Sequence, residues 1–205
     1  MSTDIYLVRH AIKEKDVGDV SLTADGLEQA HRTASHFKKV PISRIFSSPL
    51  NRAKQTAQII GKATRIPIIK DIRLRERANW GDIPGQTFQE FVEMWNRCTK
   101  ERDFSPPGGD SARRAGERLS SCLIEISVQY PQESTVIVTH GGLITDFLLN
   151  EFSQEELNIK HPNFIIEQSN LVPECSITKI RCGAEGFKLV AAKDSLTFYD
   201  ISPHS

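Results

Sequence analysis

Two histidines stand where apolar runs of the chain end, and their surroundings suit phosphoryl chemistry. His10 follows Arg9 at the end of a run that begins at Ile5, and His140 follows the largely β-branched run 136–139. A neutral imidazole nitrogen can attack phosphorus as a covalent nucleophile, while a guanidinium and a second imidazole neutralise phosphate oxygens. The residue types therefore indicate a site that binds and transfers a phosphoryl group.

For these two histidines to meet, the apolar runs before them must be neighbouring strands. Each run is about four apolar or β-branched residues long, as buried parallel strands tend to be. In an open α/β sheet, ligands bind beyond the carboxyl ends of the strands. His10 and His140 could therefore converge although they lie far apart in the sequence.

Helical and strand patterns alternate around the two runs and predict an α/β protein. Helix starts are expected where a capping residue precedes an apolar periodicity. The expected N-caps are Thr23, Ser48 with Pro49 in the first helical position, Thr87 in a capping box with Glu90, and Asp110 or Ser111. The expected apolar helix faces are Leu27, Ala30, Ala34 and Phe37 in the first helix, and Phe88, Phe91, Val92, Trp95 and Cys98 in a later one. Other strands are expected at 45–46, 66–69, 176–180, 187–191 and 196–199.

Several sequence blocks around the two histidines come in an order typical of one enzyme family. They are Arg9-His10, Leu22–Ala30, Phe46–Ala57 with its Ser-Pro-x-x-Arg pattern, Leu74–Arg77 followed by Gly81 and Gly85, Gly109–Ser111 ahead of Arg118, His140-Gly141, and a weaker match at Cys175–Thr178. Between Ile5 and about Ile144 the chain resembles the histidine phosphatase superfamily, the phosphoglycerate mutase-like enzymes. The resemblance implies a three-layer α/β/α fold with a mostly parallel central sheet, helices on both faces and a helical cap insertion at about residues 71–130.

The same resemblance implies a role for each residue of the candidate site. His10 would be the nucleophile that becomes phosphohistidine, and Glu76 would donate a proton to the leaving group. His140 would assist catalysis and bind phosphate oxygens. The remaining phosphate-binding positions would be Arg9, Arg52 and Gly141. No cofactor or metal is expected, because arginine and histidine supply the positive charge and no Asp/Glu cluster has the spacing of a magnesium site.

Structural roles compete with the catalytic ones at these positions. His10 could be a histidine satisfied within the core, and Arg52 could be a solvated surface arginine. Arg9 at a buried strand end would need an anion or a carboxylate partner, because an unpaired buried guanidinium is unfavourable. Arg52 is expected in the first turn of its helix, where backbone N–H groups and the helix dipole favour an anion.

Two carboxylates and a structural alternative compete for the position of the proton donor. Glu76 lies between Arg75 and Arg77, so a loop ion pair would also explain it. Gly81 stands one residue later than the common family spacing, and Asp82 offers a rival carboxylate.

The chain departs from the family pattern where the substrate's organic part should bind. Ala11-Ile12 replaces a frequent Gly-Glu, and Asp16 stands where asparagine is common. Arg113 and Arg114 could be solvated helix charges or could reach a second anionic group of the substrate. The substrate is therefore expected to be a small phosphorylated molecule whose identity stays open among phosphoglycerate, sugar phosphates, nucleotides, a phosphorylated cobalamin-loop nucleoside and protein phosphohistidine.

Composition narrows the class of protein further. The 205 residues fit a single domain spanning 1–205, and the 26 basic and 26 acidic residues leave no net charge to attract nucleic acid or a membrane surface. No long apolar stretch or signal-peptide pattern is present, so a cytoplasmic location is expected. The four cysteines lack the spacing of a zinc or redox motif and are expected to be reduced thiols. The oligomeric state stays open.

Three interpretations of function remain. The first is a metal-independent phosphomonoester hydrolase with water as acceptor, and it is preferred. The second is a phosphoglycerate mutase-type isomerase, and the third is a non-catalytic phosphate-binding interaction module. A nucleophile with an acid opposite it argues against the third, and a chain shorter than typical dimeric mutases favours the first.

Overall fold

Six strands and seven α-helices alternate along residues 2–160 and 162–190, which the computed structural model describes. The strands are β1 (Ser2–Arg9), β2 (Arg44–Ser47), β3 (Ile68–Lys70), β4 (Ser134–Thr139), β5 (Ile177–Gly183) and β6 (Gly186–Leu189). The helices are α1 (Ala24–Phe37), α2 (Asn51–Thr64), α3 (Phe88–Lys100), α4 (Ala112–Gln129), α5 (Gly141–Glu151), α6 (Gln154–Lys160) and α7 (Phe164–Glu167). Short 3-10 turns lie at Ile72–Leu74 and Gln168–Leu171.

The six strands form one sheet in the order β3-β2-β4-β1-β5-β6. The first four strands in this order, β3, β2, β4 and β1, run parallel to one another. β5 is antiparallel to both β1 and β6. The predicted mostly parallel α/β fold is thus confirmed. The pairing of β1 with β4 brings Arg9 opposite Thr139, so the two predicted histidines follow adjacent strand ends.

Alternation along the central strands divides the core between the two faces of the sheet. Ile5, Leu7 and Ile137 belong to a buried cluster with residues of α4 and α5. Val8 and Val138 belong to a second cluster with residues of α1 and α2. Helices therefore cover both faces, as the three-layer architecture requires.

The first two helices begin near the expected positions, with two differences. Thr23 caps α1 by accepting a hydrogen bond from the Gly26 N–H, but Leu27 is 41% exposed and not part of the buried face. Ser48 is not the N-cap of α2, which starts after Leu50. The Ser48 N–H donates to the Val138 carbonyl at 3.0 Å, which keeps that residue in the sheet and delays the helix.

The bounds of β3, β5 and β6 differ by a few residues from those that the sequence predicts. β3 starts at Ile68 and not at 66, because the Ile66 N–H donates to Gly61 O of the preceding helix, which ends at left-handed Arg65. The predicted strand 176–180 is longer, and the predicted strand 187–191 ends at Leu189. The predicted strand 196–199 lies outside the described residues.

Only part of the predicted cap segment 71–130 covers the candidate site. Helix α3 starts with the predicted capping box of Thr87 and Glu90, yet Cys98 is the one buried residue of its apolar face. By contrast, α4 starts at the predicted cap Ser111 and buries Leu119 and Leu123 in the main core. The loop before α3 and α3 itself thus cover the candidate site, whereas α4 belongs to the helical layer on one face of the sheet.

Two further expectations concern the core and the membrane. All four cysteines are buried and unpaired by disulfides. In the part of the chain that the structure describes, we find no helix with the length and apolarity needed to cross a bilayer.

Helix α4 offers a matched test of the packing. Ile126 is 2% exposed and faces the core, whereas Ile124 is 49% exposed on the same helix. We expect Ile126→Ala to lower the free energy of unfolding by about 2–5 kcal/mol through cavity formation. Ile124→Ala should change it by no more than about 0.5 kcal/mol. Urea titrations of both variants measure this, and equal losses would contradict the assigned orientation of α4.

Candidate active site

The two predicted histidines lie side by side at the carboxyl ends of β1 and β4. The backbone N–H of His10 donates to the Thr139 carbonyl at 2.9 Å, and the imidazole ring centroids of His10 and His140 are 5.2 Å apart. Both rings are buried, at 5% and 0% exposure. The sequence prediction that the two side chains converge thus agrees with the structure.

The hydrogen bonds of His10 orient its ring with one nitrogen toward the pocket. Nδ1 lies 2.7 Å from the Ala11 carbonyl, which can only accept, so Nδ1 carries the proton. Nε2 then carries the lone pair and accepts from Nε of Arg52 at 3.2 Å. Burial, followed by the charges of Arg52 and Arg9, holds the His10 pKa well below its usual value. The ring is therefore neutral at physiological pH, as a nucleophile must be.

Arg52 lies in the first turn of α2, as predicted, and is 3% exposed. Its Nη1 is buried and has no hydrogen-bond partner among the described residues. Desolvation lowers the pKa of the guanidinium. A buried guanidinium with an unsatisfied donor beside a helix N-terminus is a strong attractor for an anion.

His140 forms the N-cap of α5 and is held by a residue that the sequence prediction placed elsewhere. Its Nε2 lies 2.8 Å from Oγ of Ser48, and its Nδ1 is buried without a partner in the described part of the chain. Burial, with the charge of Arg52 next, holds the His140 pKa well below its usual value. Ser48 was expected to cap a helix, and nothing local in the sequence indicates that it holds an imidazole.

Arg9 reaches the same pocket but already has a carboxylate partner. Its Nη1 donates to Val172 O at 2.6 Å, and its Nη2 forms an ion pair with Glu174. A Cβ on Gly141 would lie 3.1 Å from Cδ of Arg9, so the glycine allows this close approach. Of the two partners expected for Arg9, an anion or a carboxylate, the structure contains the carboxylate.

Glu76 lies in the loop before α3 and lines the same cavity as His10. Its Oε2 accepts from the Gly142 N–H at 3.0 Å, and its Oε1 accepts from the Arg77 N–H at 2.9 Å. The carboxyl group is therefore fixed to the first turn of α5, two residues after His140.

The rival carboxylate and the flanking arginines are engaged elsewhere. Asp82 pairs with Arg75 at 3.3 Å and accepts from the Asn79 N–H at 3.1 Å, and it does not line the cavity that His10 and Glu76 line. Arg77 also leaves Glu76 free of an ion pair, because its guanidinium binds another carboxylate. These contacts favour Glu76 over Asp82.

A buried ion pair that the sequence prediction missed holds the Glu76 loop in place. Arg77 and Asp146 of α5 are 3% and 1% exposed, and Nη1 lies 2.9 Å from Oδ1. The Arg77 guanidinium also lies 3.8 Å from the centroid of the Trp95 ring. Desolvation raises the pKa of Asp146 to about 7, with the charge of Arg77 opposing that rise. The pair ties the loop to the same helix that carries His140 at its start.

A cavity of about 360 Å³ is lined by Arg9, His10, Arg52 and Glu76 together with a set of apolar side chains. Lys13, Asp16 and the loop residue Asn79 contribute polar groups to it. Its apolar lining consists of Ala78, Trp80, Phe88, Phe91, Val92 and Trp95. Arg113 does not line it and pairs with Asp103 at 2.6 Å, and Arg114 does not line it either.

The geometry defines a class of site: an anion pocket at the carboxyl ends of parallel strands in an α/β sheet, with a neutral imidazole and a carboxyl group lining the same cavity. Residues 5–195 match the family model of the histidine phosphatase superfamily, branch 1. The chain belongs to that superfamily.

The relatives of this chain include proteins named as mutase-like and as phosphatases. The chain is 36% identical over 156 residues to Phosphoglycerate mutase-like protein 4 of Arabidopsis thaliana, covering 69% of this chain and 67% of the relative. It is 32% identical over 158 residues to an uncharacterized phosphatase, PhoE, of Bacillus subtilis, covering 74% and 78%. A solved structure of phosphoserine phosphatase from Entamoeba histolytica in complex with 3-phosphoglyceric acid shares the fold at 23% identity, with a TM-score of 0.68 and coverage of 95% and 99%.

The buried imidazoles predict how stability depends on pH. The pKa of His140 is lower in the folded than in the unfolded chain, so between these two values the unfolded chain binds more protons. Stability should therefore fall as the pH drops below about 6.5, by about 1.4 kcal/mol per pH unit for each such histidine. We expect His140→Asn to reduce this slope. Urea unfolding at about pH 7 and about pH 5.5 measures the slope, and an unchanged slope would contradict a neutral buried His140.

Proposed function

We propose that this protein is a metal-independent phosphomonoester hydrolase that acts through a phosphohistidine at His10. The observation that carries the proposal is the pair formed by a neutral, buried imidazole and an incompletely satisfied guanidinium, His10 Nε2 and Arg52. A phosphate bound to Arg52 would take up its N–H donors and lie against Nε2 of His10, whose lone pair would then be released for attack. Membership of the histidine phosphatase superfamily supports the same chemistry.

In the first step, Nε2 of His10 attacks phosphorus in line with the leaving oxygen. A P–N bond forms, the P–O bond to the leaving group breaks, and Glu76 gives its proton to that oxygen. The Nδ1 proton stays on the ring, where the Ala11 carbonyl stabilises the charge that the ring gains. Arg9, Arg52 and His140 hold the equatorial oxygens, with Gly141 beside them at the N-terminus of α5.

In the second step, water replaces the leaving group. The Glu76 carboxylate takes a proton from water as the oxygen attacks phosphorus, and the P–N bond breaks to return neutral His10 and inorganic phosphate. The reversal of roles is what one general acid–base group requires. Positive charge from Arg9 and Arg52 takes the place that a metal ion has in other phosphoryl-transfer sites.

A mutase is the second candidate, because several relatives are named as phosphoglycerate mutases or mutase-like. A mutase must hold a bisphosphorylated acid away from water long enough to rephosphorylate a product. In this pocket one of the two guanidinium groups, that of Arg9, is already paired with Glu174. The shortage of free positive charge favours water as acceptor. A purely binding role would leave the position of Glu76 without a purpose.

We expect the wild-type protein to release inorganic phosphate from small phosphate monoesters with a chelator present, and vanadate to inhibit the reaction. His10→Ala should be at least about 10³-fold slower, because the covalent step is lost. The wild type should also form an acid-labile phospho-adduct on His10. Phosphate release and mass spectrometry of quenched protein measure these outcomes.

His31→Ala, on the exposed side of α1, serves as the matched control and should keep full activity. Undiminished turnover in His10→Ala would contradict the proposal. Rapid conversion of 3-phosphoglycerate to 2-phosphoglycerate in the presence of trace 2,3-bisphosphoglycerate, with negligible phosphate release, would establish the mutase.

Glu76→Gln tests the proton donor through its dependence on the leaving group. Esters with poor alkoxide leaving groups should slow by about 10²–10⁴, whereas activated aryl esters should slow much less, since their oxygen departs without a proton. Asp82→Asn is the matched control and should retain the wild-type ratio of the two rates. Equal loss for both ester types in Glu76→Gln would remove Glu76 from the role of acid.

A further inference from the structure

The covering helix α3 turns its apolar face to the cavity and not to the protein core. Phe88 is 58% exposed and Val92 is 36% exposed, although both lie on the face that the sequence pattern predicts to be buried. With Trp80, Phe91 and Trp95 they line the cavity. We call Trp80, Phe88, Phe91 and Trp95 the aromatic wall. Apolar surface of this extent beside a binding site indicates an apolar ligand group.

The aromatic wall is built to keep its shape. The Trp80 and Phe88 rings are 5.1 Å apart at 63°, and the Phe91 and Trp95 rings are 5.9 Å apart at 41°. The indole N–H of Trp80 donates to Gln86 O at 3.0 Å, so its polar atom is satisfied. The wall therefore presents ring faces and edges to a ligand, with the polar atom of Trp80 already satisfied.

The wall starts where the leaving group should depart. A Cβ on Gly142 would lie 2.6 Å from Cη2 of Trp95 and 2.8 Å from Oε1 of Glu76, so indole, glycine and carboxyl group are in close contact. The substrate oxygen that takes a proton from Glu76 is bonded to the organic part of the ester. That organic part therefore meets Trp95 first and the rest of the wall beyond it.

The charges around the cavity suit one phosphate group and no second anion. Three cations and three carboxylates line the cavity: Arg9, Lys13 and Arg52, and Asp16, Glu76 and Glu174. Glu174 already neutralises Arg9. Once a phosphate occupies the free positive charge, a further carboxylate or phosphate on the substrate would face Glu174 and Asp16.

We propose that the substrate is a phosphate monoester whose organic part is apolar and planar and carries no second negative charge. The proposal rests on the hydrolase function proposed above. It makes the aromatic wall the binding surface for the leaving group and Glu174 the residue that selects against anionic substrates. It also separates this protein from enzymes of phosphoglycerates.

The first experiment compares benzyl phosphate with glycerol 3-phosphate, two esters of primary alcohols. We expect kcat/KM for benzyl phosphate to exceed that for glycerol 3-phosphate at least about tenfold, because only the benzyl ring can pack on the wall. Phe88→Ala should lower this ratio severalfold. Val128→Ala, on the outer face of α4 at 76% exposure, is the control and should leave the ratio unchanged.

The second experiment compares 3-phosphoglycerate with glycerol 3-phosphate, which differ by a carboxylate in place of a hydroxymethyl group. We expect the wild type to prefer glycerol 3-phosphate, which has no carboxylate. Glu174→Gln should raise the ratio of kcat/KM for 3-phosphoglycerate to that for glycerol 3-phosphate about tenfold. The ratio is the measured quantity because the variant also frees Arg9 and so alters the binding of every phosphate ester.

The outcomes distinguish this inference from the function on which it rests. If kcat/KM for glycerol 3-phosphate or 3-phosphoglycerate equals that for benzyl phosphate, the inference fails and the hydrolase stands. An unchanged ratio in Phe88→Ala or in Glu174→Gln removes the wall or the carboxylate, respectively, from substrate selection. If no phosphate is released from any of these esters, both the inference and the proposed hydrolase fail.

Discussion

The parallel pairing of β1 with β4 is the constraint on which the whole site depends. It places Arg9 opposite Thr139 and so brings the next residue of each strand, His10 and His140, together at one sheet edge. Their hydrogen bonds then set the orientation of each ring, through the Ala11 carbonyl on one side and Ser48 on the other. Because all of these partners belong to strands or strand ends buried in the core, the distance between the imidazoles is fixed by the sheet itself.

Burial gives the site its reactivity at the expense of stability. Removing water from two imidazoles beside Arg52 keeps both rings neutral, and it leaves a guanidinium donor and an imidazole nitrogen without partners among the residues that the structure describes. Unsatisfied buried polar groups are unfavourable, so an anion that pairs with them is bound more favourably. The ion pair of Arg77 with Asp146 holds the loop of Glu76 against this arrangement, at a position where solvent cannot weaken it. The same desolvation therefore underlies the proposed nucleophile, the proposed attraction for phosphate and the rigidity of the loop that carries Glu76.

The sequence predicted those parts of the site that depend on local pattern. His10, Arg52 and His140 each lie at the end of a strand or the start of a helix, and such positions follow from hydrophobic periodicity and capping residues. Ser48, Asp146 and Glu174 could not be found in the same way, because each acts through a partner that is distant in the sequence. Ser48 also shows how a local rule fails, since its capping pattern was overridden by a backbone hydrogen bond to β4.

Helix α3 shows the limit of periodicity from another side. The spacing of Phe88, Val92 and Trp95 correctly identified a helix with one apolar face, and the capping box correctly placed its start. Periodicity states that a face avoids water, but it does not state whether protein or ligand covers that face. Here the core is complete without α3, since α4 and α5 already cover that side of the sheet. The apolar face is left for the cavity, and in our proposal it is this helix that binds the organic part of the substrate.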